Sequence, residues 1–214
     1  MCYNFYMDVE HISQSQCLEE YVKIATDFNP NLSIEVGAHG AEYSHSMSDI
    51  GIKSIAFEAS PAVYEKHKKR ITNFEYINLA IADYAGSIFF NLDSAFNPAN
   101  VGHNSIKDFS LPWRVNGDPV EVSCSTLDLY FSDLQDEKIS MWIDVEGANK
   151  EVLTGAIELL KKVQTIYIEV EHTEFWVDQW QRQDVIDFLS VQGFELYREF
   201  FAYGNQTNCI FIKK

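Results

Sequence analysis

The stretch Leu32–Gly40 reads LSIEVGAHG, and it decides how the chain is organised. Its first part, LSIEV, is a short apolar run typical of a strand, and Gly37 then begins a glycine turn. Such a turn lets a ligand approach the backbone, and the helix that follows offers N–H groups at its N-terminus. The stretch therefore predicts a strand, a turn and a helix with a ligand site at the turn.

The spacing of the glycines indicates the class of ligand. The chain has Gly37 and Gly40 followed by Ala41, whereas a dinucleotide site needs G-x-G-x-x-G so that a pyrophosphate can approach the backbone. The acid at Glu35 would also lie badly beside a pyrophosphate. It suits a cationic ligand, such as the ammonium or sulfonium of S-adenosylmethionine. A nicotinamide-dependent dehydrogenase is therefore disfavoured.

Short strands alternate with helices along the rest of the chain. This alternation predicts a Rossmann-like α/β fold with a mostly parallel seven-stranded sheet, one antiparallel strand and helices on both faces. The predicted strands are 32–37, 54–58, 76–80, 139–145, 165–170, 194–200 and 209–212, and the predicted helices are 14–28, 61–71, 148–161 and 184–191. Ligands of such sheets bind beyond the carboxyl ends of the strands, so the functional residues are expected just after each strand.

The composition limits the class of protein and of partner. The 214 residues, 46 % of them hydrophobic, predict one domain over 1–214, with 1–30 as a helical lead-in. The formal net charge of −16 repels a phosphate backbone, which argues against a nucleic-acid partner. Scattered cysteines, no secretory leader and no long apolar run predict a cytoplasmic protein without a membrane span. The expected partner is a small molecule, and the oligomeric state stays open.

The segment 91–120 interrupts the alternation of strands and helices. It is rich in turn residues, among them Asn97-Pro98, Gly102 and Asn116-Gly117. A loop of this length inside a compact domain is often a lid or a substrate loop, although a surface insertion is the alternative. As a lid, it would bring Ser105 and Trp113 near the cofactor or the acceptor.

Two acids follow strands on the predicted cofactor side. Glu58 ends the strand next to Glu35, where a carboxylate can accept hydrogen bonds from both ribose hydroxyls. Asp83 follows the third strand and could accept from an adenine amino group, although an ordinary turn acid gives the same pattern. The presence of both Glu58 and Glu35 at the ends of adjacent strands favours a nucleoside-containing cofactor.

Candidate catalytic residues follow the fourth and fifth strands. Asp144 and Glu146 are two residues apart, and a close carboxylate pair is costly unless something cationic or protic joins it. His172 is a candidate base by its position and intrinsic pKa, although a structural role is the more common one for a lone histidine. A divalent ion between the two carboxylates is an alternative, but no third ligand stands out, so no metal is expected.

Five segments in order resemble the FkbM family of S-adenosylmethionine-dependent methyltransferases. They are Ala56-Phe57-Glu58-x-x-Pro61, Ala80-Ile81-Ala82-Asp83-x-x-Gly86, Ser125-Thr126-Leu127-Asp128, Ile143–Ala148 and Glu151-Val152-Leu153-x-Gly155-Ala156. The resemblance covers about Ile34 to Leu196 and implies a class I methyltransferase fold. It places Glu35 and Gly37 at the methionine end of the cofactor, Glu58 on the ribose and Asp83 near the adenine.

At two positions that bear on the site, this sequence departs from the pattern of the family. His39 stands where the family has Asn, which affects a cofactor contact, and Trp142 stands where a lysine is common. The family methylates mostly hydroxyl groups of sugars and natural products. The resemblance therefore implies O-methylation of a small hydroxyl compound. The alternative is a cofactor-binding protein without catalysis that acts as a regulatory or assembly module.

Overall fold

The computed structural model describes residues 10–92, 103–111, 117–202 and 204–214. Within these residues the strands are β1 Glu10–His11, β2 Leu32–Val36, β3 Lys53–Glu58, β4 Glu75–Asn78, β5 Ala80–Ile81, β6 Gly86–Phe90, β7 Val120–Ser125, β8 Ile139–Ile143, β9 Val163–Glu171, β10 Phe194–Phe201 and β11 Gln206–Lys213. The helices are α1 Gln14–Asp27, α2 Glu42–Asp49, α3 Pro61–His67, α4 Leu127–Tyr130, α5 Asn149–Thr154 and α6 Arg182–Val191, with a 3₁₀ turn at Leu159–Lys161.

The main sheet has the strand order β1-β10-β11-β9-β8-β2-β3-β4. All neighbours are parallel except β11, which runs antiparallel to both β9 and β10. Seven of these strands are the seven predicted from the sequence, and β1 adds a two-residue edge strand. The predicted Rossmann-like architecture, with one antiparallel strand, is therefore confirmed.

Helices cover both faces of this sheet because side chains alternate along each strand. On one face, strand residues such as Ile166 pack with Leu153 of α5 and Leu189 of α6. On the other face, Tyr167 packs with residues of α1 and α2 in a second, largely aromatic cluster. The α1 helix begins with a capping box, in which Ser13 and Gln16 each accept from the other's backbone N–H.

A second, three-stranded sheet with the order β5-β7-β6 was not predicted. The predicted strand 76–80 is in fact two strands, because the chain leaves the main sheet after Asn78 and enters the small one at Ala80. The strands β6 and β7 are antiparallel and bracket the predicted loop 91–120. Of that loop the structure describes 91–92, 103–111 and 117–120, and Asn97-Pro98, Gly102 and Trp113 lie outside the described residues.

Two predicted helices are shorter in the structure. The helix expected over 61–71 ends at His67, and the one expected over 148–161 is broken into α5 and the 3₁₀ turn. The break falls at Gly155, where an added Cβ would lie 2.3 Å from the carbonyl oxygen of Ala82. Close approach of the small sheet therefore requires glycine here. No helix within the described ranges has the length and apolarity needed to cross a bilayer.

Candidate active site

A cavity of about 680 Å³ lies at the carboxyl ends of β2, β3, β8 and β9. This is the position expected for ligands of an open α/β sheet. Six of the nine site residues predicted from the sequence line it, namely Glu35, Gly37, His39, Glu58, Asp144 and Glu146. The other three, Asp83, Ser105 and His172, are not among the lining residues. The strand ends thus bring six of the nine residues together around one cavity.

Gly37 is where two strand ends meet. Its φ is +79°, and an added Cβ would lie 1.8 Å from the carbonyl oxygen of Asp144. The N–H of Asp144 in turn donates to the carbonyl oxygen of Val36 at 3.0 Å. Glycine is needed both for the left-handed backbone and for this contact. The turn therefore fixes the start of the α2 loop against the end of β8.

The loop after Gly37 contains two left-handed residues that are not glycine. His39 has φ +44° and Ala41 has φ +61°, conformations that are uncommon for residues with a Cβ. Two hydrogen bonds hold the loop from one side, since the N–H groups of Gly37 and Ala38 both donate to the carbonyl oxygen of Phe57. Strained backbone of this kind is concentrated at ligand sites.

Glu35 lies below this loop and caps the α2 helix. Its carboxylate accepts from the N–H groups of Ser44 at 2.7 Å and of Tyr43 at 3.4 Å. The residue that precedes the helix, Ala41, has no side-chain oxygen to do so. Burial raises the pKa of Glu35 to about 8. Glu35 thus combines a position on the cavity wall with a structural role that sequence reasoning did not assign to it.

Glu58 is held by backbone amides on both of its oxygens. Oε1 accepts from the N–H of Ser60 at 2.7 Å, and Oε2 accepts from the N–H of His39 at 2.8 Å. Burial raises the pKa of Glu58 to about 7, although both amide bonds favour the charged form and Asp144 opposes it. The carboxylate is fixed at the tip of β3 and connects that strand to the glycine loop.

Three carboxylates meet at the other end of the cavity. Asp144, Glu146 and Glu169 each place one oxygen within 4.8 Å of the others. Burial, with a further contribution from Glu42, raises the pKa of Asp144 to about 6. Burial, then Asp144 and then Glu171, raise the pKa of Glu169 well above its usual range. The group can hold a proton or a cation between its members, because either relieves the repulsion.

Glu169 and Gln206 are lining residues to which the sequence analysis assigned no role, although Glu169 lies in the same strand-end segment as His172. Gln206, on β11, donates from Nε2 to Oε1 of Glu169 at 2.8 Å. The signal for Glu169 was present in the alternation of β9, where Tyr167 and Glu169 share a face and His172 lies on the other. No local pattern could have paired Glu169 with Gln206, because β11 is placed beside β9 only by the fold.

His172 occupies a different environment from the one predicted. Its Nε2 lies 2.6 Å from Oγ1 of Thr207, and burial followed by the nearby Arg182 lowers its pKa. The structure therefore brings Asp144 and Glu146 together at the cavity but leaves His172 out of the lining. Asp83 is likewise exposed on the surface and outside the lining.

The segment 103–111 covers one side of the cavity, and His103, Asn104 and Ile106 line it. Ser105 is buried and donates from Oγ to the carbonyl oxygen of Glu146 at 2.6 Å, so it positions the loop after β8 and does not face the cavity. The described part of the predicted lid therefore contacts the strand ends.

An ion pair and an aromatic stack help to anchor the segment 103–111, beside its backbone hydrogen bonds to Phe175 and Val177. Lys107 forms an ion pair with Glu151 of α5, with an N–O distance of 2.6 Å and less than 15 % of each side chain exposed. Phe109 stacks on Trp176 with ring centroids 4.4 Å apart. The segment thus has polar and aromatic anchors on two separate elements.

The strand order and the carboxylate-lined cavity at the strand ends define a Rossmann-like methyltransferase fold. Magnesium protoporphyrin IX methyltransferase from Synechocystis PCC 6803, solved with bound S-adenosylmethionine, has this fold, with a TM-score of 0.53 and 8 % identity over 94 % of this chain and 77 % of that chain. TehB from Haemophilus influenzae has a TM-score of 0.50 and 8 % identity over 92 % of this chain and 62 % of that chain.

Sequence comparison identifies the family. The methyltransferase FkbM domain matches residues 35–196, and the chain belongs to this family. The 2-O-methyltransferase NoeI of Sinorhizobium fredii (strain NBRC 101917 / NGR234) is 27 % identical over an alignment of 162 residues that covers 67 % of this chain. The chain spans 63 % of the length of that curated relative.

Proposed function

We propose that this protein is an S-adenosylmethionine-dependent methyltransferase that acts on a hydroxyl oxygen of a small, uncharged molecule such as a sugar. The observation that carries the proposal is the amide-held carboxylate of Glu58 at the tip of β3, beside the glycine turn and inside the cavity. Membership of the FkbM methyltransferase family supports it. The alternative of a non-catalytic module has no observation in its favour, because the cavity keeps its carboxylates.

The residues of the cavity fit a cofactor of this kind. A volume of about 680 Å³ is within the range of small-molecule sites, about 300–1,000 Å³. Among the described lining residues there are six carboxylates and no lysine or arginine, which favours a cationic ligand. We assign the ribose to Glu58 and the methionine end to the turn at Gly37–His39 with Asp144. Bound there, the cofactor supplies an electrophilic methyl group on a sulfonium.

The adenine is assigned to the apolar part of the cavity. Ala59, Leu79, Ile81 and Phe90 line this part, next to the end of β3. Flat aromatic rings are commonly held by apolar walls of this type. This assignment replaces the predicted contact with Asp83, which is exposed outside the lining.

The charge of the cavity also limits the acceptor. A phosphate or carboxylate on the acceptor would face Asp144, Glu146 and Glu169 at short range. We therefore propose a neutral hydroxyl compound. The choice of an oxygen as the methyl acceptor is supported by the curated relative, which is a 2-O-methyltransferase. The three cysteines within the described residues are free and buried, which supports work in a reducing compartment such as the cytoplasm.

A methyl-transfer assay on paired acceptors tests this proposal. The panel contains pentoses, hexoses and their methyl glycosides as neutral acceptors. Each is compared with an anionic partner, its phosphate or its uronic acid, and labelled S-adenosylmethionine is the donor. We expect label on neutral acceptors and little on their anionic partners, together with micromolar binding of S-adenosylhomocysteine and weak binding of NAD in calorimetry. Preferential labelling of the anionic partners, or tighter binding of NAD, would contradict the proposal.

A further inference from the structure

Glu169 is placed beside the predicted reaction centre by strand pairing. Ile168 of β9 is the register partner of Ile143 of β8. The next residues in the chain are Glu169 and Asp144, so these two carboxylates lie on neighbouring segments of the chain. The carboxylates of Glu169, Asp144 and Glu146 lie within 4.8 Å of one another, and all three residues line the cavity. Glu169 is therefore within the site, although His172 was the only residue of the segment Glu169–His172 that the sequence analysis considered for catalysis.

Hydrogen bonds fix the orientation of Glu169. Gln206 donates from Nε2 to Oε1 at 2.8 Å, and Asn149 donates from Nδ2 to the backbone carbonyl oxygen of Glu169 at 2.8 Å. Within the part of the chain that the structure describes, no hydrogen bond engages Oε2. One carboxylate oxygen is thus held by the protein, and the other remains available to a ligand in the cavity.

We infer that Glu169 is the residue that accepts the proton of the reacting hydroxyl, and that Gln206 is the residue that positions it. The inference rests on the proposed function. Methyl transfer forms an O–CH₃ bond, breaks the S–CH₃ bond of the sulfonium, leaves a neutral thioether and releases the hydroxyl proton. That proton passes to Oε2 of Glu169, so the positive charge that entered with the donor stays among the three carboxylates.

The surroundings of Glu169 suit this role. The titratable groups around it include Asp144 from β8, Glu146 from the loop after β8, Tyr167 and Glu171 from its own strand and Cys17 from α1. None of these is cationic, so burial, then Asp144 and then Glu171, raise the pKa of Glu169 well above its usual range. A carboxylate with a raised pKa takes up a proton more readily than an ordinary one, which suits a general base. His172, the base predicted from the sequence, is outside the cavity lining.

The substitution Glu169→Gln tests the inference, with Glu171→Gln as the matched control. Glu171 lies two residues along the same strand, is buried, and accepts from Gln179 at 2.7 Å without lining the cavity. It is also the register partner of Gln206, whose amide lowers its pKa, so it shares the surroundings of Glu169 but not its place on the cavity wall. With the best neutral acceptor of the sugar panel, Glu169→Gln should lower kcat by about 10²–10⁴-fold and leave the affinity for S-adenosylhomocysteine within about threefold. The rising limb of its pH profile should disappear. Glu171→Gln should keep that limb, displaced to lower pH, because a neighbouring negative charge is lost.

The substitution Gln206→Leu and an infrared measurement test the role of Glu169 independently of the turnover of the first variant. Gln206→Leu should lower kcat less than Glu169→Gln does, because it only releases the carboxylate. Difference infrared spectra recorded across a pH titration of the cofactor-free protein should contain a carboxylic acid C=O component that Glu169→Gln removes and Glu171→Gln retains, beside the components of other buried carboxyls such as Glu35 and Glu171.

Three outcomes would overturn the role of Glu169 while leaving the proposed function intact. They are a wild-type rate in Glu169→Gln, loss of S-adenosylhomocysteine binding in that variant, and wild-type activity that EDTA abolishes and Mg²⁺ restores. Wild-type protein that neither binds S-adenosylhomocysteine nor labels any acceptor would instead reject the proposed function itself.

Discussion

At the scale of single residues, the first prediction concerns the ribose contact of Glu58. This carboxylate already accepts two backbone N–H groups, so Glu58→Ala disturbs the glycine loop as well as any ligand contact. A comparison of S-adenosylhomocysteine with its 2′,3′-dideoxy analogue separates the two effects. The wild type should prefer the natural compound by at least about tenfold, since a hydrogen bond to a charged group contributes about 1.5–3 kcal/mol. Glu58→Ala should lose most of this preference.

Calorimetry with both compounds and both proteins provides the check. The glycine loop is disturbed equally for the two ligands, so its effect cancels in the ratio of affinities. A preference that is unchanged in Glu58→Ala would mean that the ribose hydroxyls bind elsewhere.

The second prediction concerns His172. Because it contacts Thr207 and is not among the cavity-lining residues, His172→Ala should lower turnover by less than about threefold, whereas removal of a general base costs about 10²–10⁴-fold. Steady-state kinetics on the best neutral acceptor measures this. A loss in the range expected for a base would return His172 to the reaction centre.

From the sequence, the residues that follow each strand could be identified. The face of the sheet toward which their side chains project could not. Glu35, Glu58 and Asp144 line the cavity because each lies at the end of a predicted strand. His172 lies outside the lining because β9 extends to Glu171, so alternation puts His172 on the opposite side from Glu169. The bond from Gln206 to Glu169 could not be predicted, since strand pairing between β11 and β9 depends on the assembled sheet.

At the scale of elements, the segment 103–111 depends on the buried pair of Lys107 and Glu151. Lys107→Met would leave the carboxylate of Glu151 buried without its cation, and removing one partner of a buried pair costs about 3–5 kcal/mol when burial is complete. We expect faster hydrogen exchange in 103–111 and in the Trp176 loop. The double variant Lys107→Met/Glu151→Leu should recover most of the protection. Exchange that stays slow in the single variant would mean that the Phe109–Trp176 stack and the hydrogen bonds of the segment hold it without the ion pair.

The elements themselves were predicted with uneven success. All seven main strands were found because alternation and β-branched residues mark them locally. The small sheet was missed because β5 has only two residues and β6 and β7 lie at the borders of a turn-rich segment. The break after α5 was missed because the requirement for Gly155 arises from the Ala82 carbonyl of a distant element.

At the scale of the whole molecule, the buried carboxylates predict how stability depends on pH. The pKa values of Glu35, Glu58 and Asp144 are raised to about 8, 7 and 6, so the folded state binds more protons than the unfolded state above the ordinary carboxyl range. The free energy of unfolding of the cofactor-free protein should therefore fall as pH rises from about 4.5 through about 8.

Urea unfolding at a series of pH values measures this dependence. Glu35→Gln should flatten the upper part of the curve, since Glu35 has the highest of the three pKa values and the glutamine carbonyl can still accept from Ser44. Stability that rises over the same pH interval would contradict the assignment of raised pKa values to these carboxyls.

The position of β11 between β9 and β10 has a consequence for the order of folding. The chain makes β10 before β11, yet β11 is the strand that joins β10 to the centre of the sheet. While the chain folds, β9 must therefore keep an open edge until a later segment inserts beside it, and such non-local pairing is slow. Gln206 arrives with that segment, so the wall of the cavity closes in the same event that completes the sheet. A folding intermediate with β2, β3, β8 and β9 already paired would contain the carboxylates of the site and would still be unable to orient Glu169.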